Sequence, residues 1–181
     1  HHDARRQRQM CIRDRPTVNV DDWKKLQDDS VKLMKYFEES IGPYPWKQYS
    51  IIQGGDGGME YAMCTMITGE RPYPSLLGVT AHEMAHAWFQ HLLATNEAKH
   101  AWMDEGFTEY VTSLSENYVN DVDPEFPHKS SYDRYYLLAS SGFEQAQTIH
   151  SDRYDYNFAY GASAYSCLLY TSPRPRDHQP S

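Results

Sequence analysis

The sequence predicts an α+β domain, mostly helical, on three observations. Residues 21–41 repeat apolar side chains at mostly helical intervals, residues 49–67 hold extended runs around a glycine-rich turn, and residues 76–120 carry two more helical patterns. The order is helix, two strands, helix, helix and further helices.

In residues 21–41 the apolar positions are Trp23, Leu26, Leu33 and Phe37, and Gly42-Pro43 ends the helix. Residues 49–53 and 59–67 read as strands separated by Gly54-Gly55-Asp56-Gly57-Gly58. Residues 76–93 read as a helix capped by Ser75 after Pro74, with Leu77, Met84, Trp88 and Leu92 at intervals of seven, four and four. Residues 94–99 are polar enough for a loop. Residues 102–120 resume a helical pattern with Phe107, Val111 and Leu114. Residues 121–150 mix Pro124, Pro127 and aromatic side chains and are expected to pack helices around loops over whatever site the earlier helices build. The chain shows no internal repeat and no low-complexity tract.

The chemistry-bearing stretch is His82-Glu83-Met84-Ala85-His86. A helix turns once in 3.6 residues, so His82 and His86 share a face and both rings can reach one ion. Glu83 lies too far round to be a natural ligand but well placed to take a proton from water. The motif alone is weak, because surface helices rich in His and Glu produce it by chance. Two histidines also leave a hydrolytic zinc site one protein ligand short. Glu105, nineteen residues after His86 in Trp102-Met103-Asp104-Glu105-Gly106, supplies it if helix, loop and antiparallel helix return it to the His82/His86 face. Glu109, one turn on, could accept a hydrogen bond from the far nitrogen of a ligand histidine, or be a solvated acid. His91, His100, His128 and His150 lack ligand spacing and read as surface or packing residues.

This arrangement resembles the zinc aminopeptidases of the gluzincin group, the family of membrane alanyl aminopeptidase and leukotriene hydrolase. Upstream, Gly57-Gly58-Met59-Glu60-Tyr61 resembles the family's Gly-x-Met-Glu-Asn motif, with Tyr61 in place of Asn. The resemblance implies that this motif lies on a strand edge, that Met59 and Glu60 belong to the substrate-binding segment, and that Glu60 holds the substrate's free amino terminus. Gly57 and Gly58 would let a peptide backbone come close. Charge-assisted hydrogen bonds to an ammonium group are worth roughly 1.5 to 3 kcal/mol each, enough to favour free amines over internal peptide bonds. The alternative is a flexible turn followed by an acid. After the zinc motif Trp88-Phe89 matches the family, whereas Gln90 and His91 stand where Gly and Asn are common and read as tolerated variation. The family's oxyanion-stabilising tyrosine matches Tyr165, with Tyr160 as companion, although the usual Lys-Gly after it is absent. With fifteen tyrosines in the chain, an aromatic core role for either is the alternative.

The resemblance implies a thermolysin-like zinc metallopeptidase catalytic domain, incomplete here, since relatives add an amino-terminal β-domain and a carboxy-terminal helical domain. Its expected activity is removal of amino-terminal residues from peptides, using one zinc ion held by His82, His86 and Glu105, with Glu83 as general base and Tyr165 at the oxyanion. Peptides with a free amino terminus and the missing domains of the same parent chain are the expected partners. A thermolysin-like endopeptidase, a catalytically inactive zinc-bearing scaffold and an epoxide hydrolase of the leukotriene-hydrolase kind are the rival readings. Relatives are cytoplasmic, periplasmic, secreted or membrane-anchored, so localisation stays open.

Both ends look foreign to this domain. Met10-Cys11-Ile12-Arg13-Asp14 can be encoded by ATG TGT ATA AGA GAC, whose opposite strand in another frame encodes Cys167-Leu168-Leu169-Tyr170-Thr171. Such an inverted repeat is what a transposase-type sequencing adapter leaves, so residues 1–15 and 167–181 are expected to be adapter-derived and residues 16–166 to be the domain. Parent DNA whose ends lack the adapter would overturn this.

The whole chain counts 17 Lys+Arg against 25 Asp+Glu, while residues 16–166 hold 10 basic and 22 acidic residues, a net charge of −12. That surface argues against nucleic-acid or anionic-membrane binding and favours cationic ligands. Cys64 is the single cysteine of residues 16–166 and carries no information on compartment. No apolar run approaches a membrane span.

Overall fold

The computed structural model describes residues 9–13, 19–55 and 57–171, with side chains in 19–55 and 57–166. Asp56 of the glycine-rich turn, and residues 1–8, 14–15 and 172–181 of the two ends expected to be adapter-derived, lie outside the described residues.

Helix α1 (Val20–Ser40) buries Trp23, Leu26, Leu33 and Phe37, the stripe expected from the sequence. Each such burial contributes roughly 1.5 to 3 kcal/mol. The helix stops where the N–H groups of Ile41 and Gly42 both return to the Phe37 carbonyl, at 2.9 and 3.3 Å, and Gly42 takes a φ of 152°. Glycine adopts that angle without penalty.

A four-stranded sheet runs in the order β1-β2-β4-β3, with β1 (Gln9–Arg13), β2 (Gln48–Gly54), β3 (Gly58–Tyr61) and β4 (Cys64–Thr68). Strands β1 and β4 flank β2 in parallel, and β3 pairs antiparallel with β4 at the edge. The single strand expected over 59–67 is therefore a hairpin: Tyr61 faces Cys64, and Ala62 and Met63 make the turn. Neither is Gly, Asn or Pro, so no turn signal marks the break. Strand β1 comes from the amino-terminal segment expected to be foreign.

Helix α2 (Tyr73–His86) begins three residues earlier than expected. The Leu76 N–H reaches the Pro72 carbonyl at 3.0 Å, so Ser75 is inside the helix and its hydroxyl instead accepts from Arg71 Nη1 at 3.3 Å. Pro74 fits the first turn, where its missing N–H leaves no intrahelical bond unmade. After His86 the helix widens into a π-helical turn (Ala87–Leu92), with the Leu93 N–H bonded to the Trp88 carbonyl at 3.1 Å. Widening takes Leu92 off the apolar stripe: it is 46% exposed, contrary to its periodicity.

Helix α3 (Ala101–Val119) packs on α2. Contacts pair His86 with Asp104, His82 with Glu109 and Gly78 with Glu116, so the two helices run antiparallel, as the site requires. Their approach is close, since a Cβ on Gly78 would stand 2.6 Å from Glu116 Oε1. Helices α1 and α2, β2 and β4 meet in one core around Trp23, Phe37, Tyr49, Ile51, Ile67, Met84 and Trp88. Tyr49 fastens the sheet to α2 by donating to the Glu83 carbonyl at 3.2 Å. Helix α5 (Asn157–Thr171) lies against α3, and α4 (Lys129–Ser141) packs on α5 through Leu138, Ala159 and Ala162. Residues 121–150 thus contribute one helix set against α5, where several covering the site were expected. Its anchoring side chain, Leu138, finds its apolar partners on α5.

Candidate metal centre

Two helices and one strand edge assemble the site. Helix α2 projects His82 and His86 from successive turns, and antiparallel α3 returns Glu105 to them. His82 Nε2 lies 3.1 Å from Glu105 Oε2, His86 Nε2 lies 3.3 Å from the same oxygen, and the two Nε2 atoms are 3.2 Å apart. A tetrahedral zinc ion with bonds of about 2.0 to 2.1 Å sets its ligand atoms roughly 3.3 Å apart, so these three donors share a point at bonding distance from each. Two imidazoles and a carboxylate are also a donor set that zinc favours.

The far nitrogens are held as well. With Nε2 turned to the shared point, His86 Nδ1 donates to Asp104 Oδ1 at 2.8 Å, with Thr108 Oγ1 at 3.3 Å, and His82 Nδ1 lies 3.3 Å from Glu109 Oε2. Burial disfavours the charged forms of these rings, but carboxylate hydrogen bonds outweigh it and hold His82 at about 9 and His86 at about 10. Burial likewise opposes ionisation of Glu105, yet the two histidines bring it down to about 2. Asp104 was not among the residues singled out from the sequence. The signal was available: positions 101, 104, 105, 108 and 109 lie on one helical face.

Glu83 is buried beside the donors, and its Oε2 has no hydrogen-bond partner among the described residues. An orphaned carboxylate oxygen in such a place is costly unless something polar comes to meet it, which suits a base awaiting a water. Burial pushes Glu83 up to about 7, with Glu60 and Glu105 adding to the shift and His82 and His86 opposing it.

Strand β3 brings the glycine-rich motif to this same place. Gly58 sits against Glu83: a Cβ there would be 2.1 Å from Glu83 Oε1. The open side of Gly58 is thus taken by Glu83, where the sequence reading assigned it to a substrate backbone. Gly57 adopts φ +40° with nothing near its missing side chain, and so supplies the turn into β3. Glu60 is half-buried on the strand edge, with a carboxylate oxygen within 4.8 Å of ligand atoms on Glu83 and His86. Met59 is exposed, and its carbonyl accepts from Thr65 Oγ1 at 3.0 Å.

Tyr165 enters from α5. Its hydroxyl donates to Glu105 Oε1 at 2.7 Å and its ring stacks on His82 with centroids 5.6 Å apart. Tyr160 meets the Tyr165 ring edge-on at 6.5 Å. Burial and the neighbouring Glu105 push the Tyr165 hydroxyl far above its ordinary range and Tyr160 to about 12, so both remain donors at any working pH. Gln90, read from the sequence as tolerated variation, is buried in the π-helical turn and donates from Nε2 to Glu60 Oε1 at 3.4 Å and to Glu97.

Residues 26–166 match the peptidase family M1 domain. The chain is 34% identical over 95 residues to a leukotriene A-4 hydrolase homolog of Botryotinia fuckeliana, an overlap of 48% of this chain and 14% of that protein. It is 34% identical over 95 residues to leucine aminopeptidase 2 of Sclerotinia sclerotiorum, covering 48% and 15%. With leukotriene A-4 hydrolase of Xenopus laevis it shares 35% identity over 92 residues, covering 46% and 15%. Among solved structures, an M1 zinc metallopeptidase from Deinococcus radiodurans superposes with a TM-score of 0.59 at 21% identity, covering 78% of this chain and 30% of that one. Native yeast LTA4 hydrolase superposes with a TM-score of 0.58 at 20% identity, covering 83% and 27%. The aligned segments span only about a seventh of the length of these curated relatives. On the match over residues 26–166, the chain belongs to peptidase family M1.

Proposed function

We propose that this chain carries the metal site of a zinc-dependent aminopeptidase, within a thermolysin-like catalytic domain. The observation that carries the reading is the convergence of His82, His86 and Glu105 at 3.1 to 3.3 Å, with an unpartnered, buried Glu83 beside them. When bound, zinc supplies Lewis acidity: it polarises a carbonyl and lowers the pKa of water in its open position toward about 7.

The chain's own residues supply the rest. His82, His86 and Glu105 would hold the ion, and Asp104 and Glu109 fix the two rings in the tautomer that presents Nε2. Glu60, on the edge strand, would receive the substrate's ammonium group and so set the first peptide carbonyl beside Glu83. Glu83 takes the proton of the attacking water and passes it to the leaving amine, a task that a carboxyl near neutrality performs well. Tyr165 keeps its proton and is the donor nearest the ligand cluster on the α5 side, available to the oxyanion once it leaves Glu105.

Three measurements test the reading. Hydrolysis of an aminoacyl amide should vanish on chelation and return with zinc, and the same substrate acetylated on nitrogen should be cleaved poorly. Activity that survives chelation sinks the proposal. Equal cleavage of the acetylated form would instead make the chain part of an endopeptidase. A Glu83→Gln variant that keeps zinc should lose on the order of 10² to 10⁴ in kcat, the usual worth of positioned acid and base catalysis.

A further inference from the structure

Gln90 is the side chain at the site that the proposed chemistry leaves unused. It is only 9% exposed, it sits in the π-helical turn directly after His86, and its amide points at two carboxylates. Nε2 donates to Glu60 Oε1 at 3.4 Å and also to Glu97 Oε2. Its carbonyl oxygen is buried with no partner among the described residues. A buried glutamine that leaves its carbonyl unsatisfied gains little for the fold. Both hydrogens of its amide nitrogen nevertheless go to acids.

The backbone delivers Gln90 there. Bonds from the Leu93 N–H to the Trp88 carbonyl and from the Thr95 N–H to the Gln90 carbonyl, both 3.1 Å, span five residues where an α-helix spans four. The wider turn shifts Gln90 round the axis relative to His86, which it would otherwise follow by about one α-helical turn. Such π turns cluster at functional sites because they re-aim one side chain without breaking a helix. Glu97, exposed in the loop beyond, closes the other side.

We infer that Gln90 is a positioning residue: its amide, anchored by Glu97, holds Glu60 turned toward the metal cluster, so that an incoming ammonium group meets a carboxylate already oriented. This rests on the proposed role of Glu60. Glutamate on an edge strand has three side-chain torsions, and a neutral donor that restricts them leaves its negative charge intact for the substrate. A lysine or arginine at position 90 would neutralise that charge. Glycine could not reach it. Glu97, on the same amide nitrogen, places a second negative charge close to Glu60, so the subsite selects for a cation over a neutral amide.

The test compares wild type with Gln90→Leu, which keeps the volume and removes the donor, and with Glu97→Ala at an exposed position. Kinetics of the zinc-loaded protein on an aminoacyl amide should show KM raised on the order of tenfold in Gln90→Leu, with kcat within threefold and zinc content unchanged. Glu97→Ala should move KM the same way by less. Calorimetric affinity of zinc-depleted protein for the amino-acid amide should fall in parallel. If both variants bind and turn over the amide within twofold of wild type, Gln90 does not position Glu60. A fall in kcat and zinc content at constant KM would likewise overturn the inference, by making Gln90 a support of the metal helix. Should Gln90→Leu fail to fold, Glu97→Ala decides alone. Wild-type protein that cleaves the acetylated substrate equally well overturns the aminopeptidase reading and this inference together. Discrimination in wild type that persists undiminished in the variants overturns only this inference.

Discussion

Gly58 shows how much one missing side chain decides. The strand passes so close to Glu83 that a methyl group would overlap its carboxylate, with only 2.1 Å to Oε1. Gly58→Ala should therefore displace the base, lowering kcat on an aminoacyl amide by about ten- to a hundredfold while zinc stays bound, because misplacing a reacting group by about an ångström costs on that order. Unchanged kcat would show that Glu83 has other room. Asp104 acts at a different atom, His86 Nδ1, 2.8 Å away. Partners of this kind typically govern metal affinity by about 10- to 100-fold, so Asp104→Ala should weaken zinc binding by that factor in a competition titration with a chromogenic chelator. From the sequence, the shared face of His82 and His86 with Glu83 beside it was legible because their spacing is a helical property, and Glu105 was proposed from its interval after His86. Gln90 and the Gly58–Glu83 contact were not legible, because each pairs groups from elements that meet only on folding, whereas Asp104 stands on the helical face of Glu105 and could have been read.

At the scale of elements, helix α2 is held at its start by a buried carboxylate paired with two exposed lysines. Asp29 on α1 accepts from Lys25 and Lys32 at 2.7 Å each and from the hydroxyl of Tyr73, the first residue of α2. Burial raises the carboxyl, but these three donors outweigh it and hold Asp29 at about 2. A carboxyl depressed on folding stabilises the fold above its unfolded value, near 3.9, and that contribution fades as pH falls through about 2. Both lysines are more than half exposed, so solvent screens the cluster and its contribution is about 1 kcal/mol. In the full-length protein, Asp29→Asn should lower stability by that order at pH 6 to 7 in urea titrations, and the gap to wild type should shrink below pH 4. A gap independent of pH would mean that the side chain acts by packing alone. The α1 stripe and the antiparallel α2 and α3 pair follow from periodicity. The β3–β4 hairpin and the π-helical turn do not, since an apolar run, Tyr61-Ala62-Met63-Cys64, crosses the turn without a turn former and no residue type marks an i to i+5 bond.

For the whole molecule, large apolar side chains remain uncovered on the helical side, with Leu93 64%, Tyr136 71% and Leu137 60% exposed. Exposed apolar side chains of this size favour association with other surfaces. Residues 16–166 expressed alone should aggregate or melt without cooperativity. A soluble monomer with a sharp two-state transition would contradict this. Among the described residues no helix is long and apolar enough to cross a membrane. The surplus of acids over bases in residues 16–166 would favour the amine ligand proposed above.

The amino-acid sequence by itself determined the helical face that bears His82 and His86 and the amphipathic helix that backs them. These are periodic features of 3.6 residues, written along one strand of chain. Only the tertiary structure decided that β3 lies against Glu83, that Tyr165 reaches Glu105 from α5, and that Gln90 turns toward Glu60. Each of those contacts depends on how far apart two separate elements come to rest, and that distance is set by the side chains packed between them.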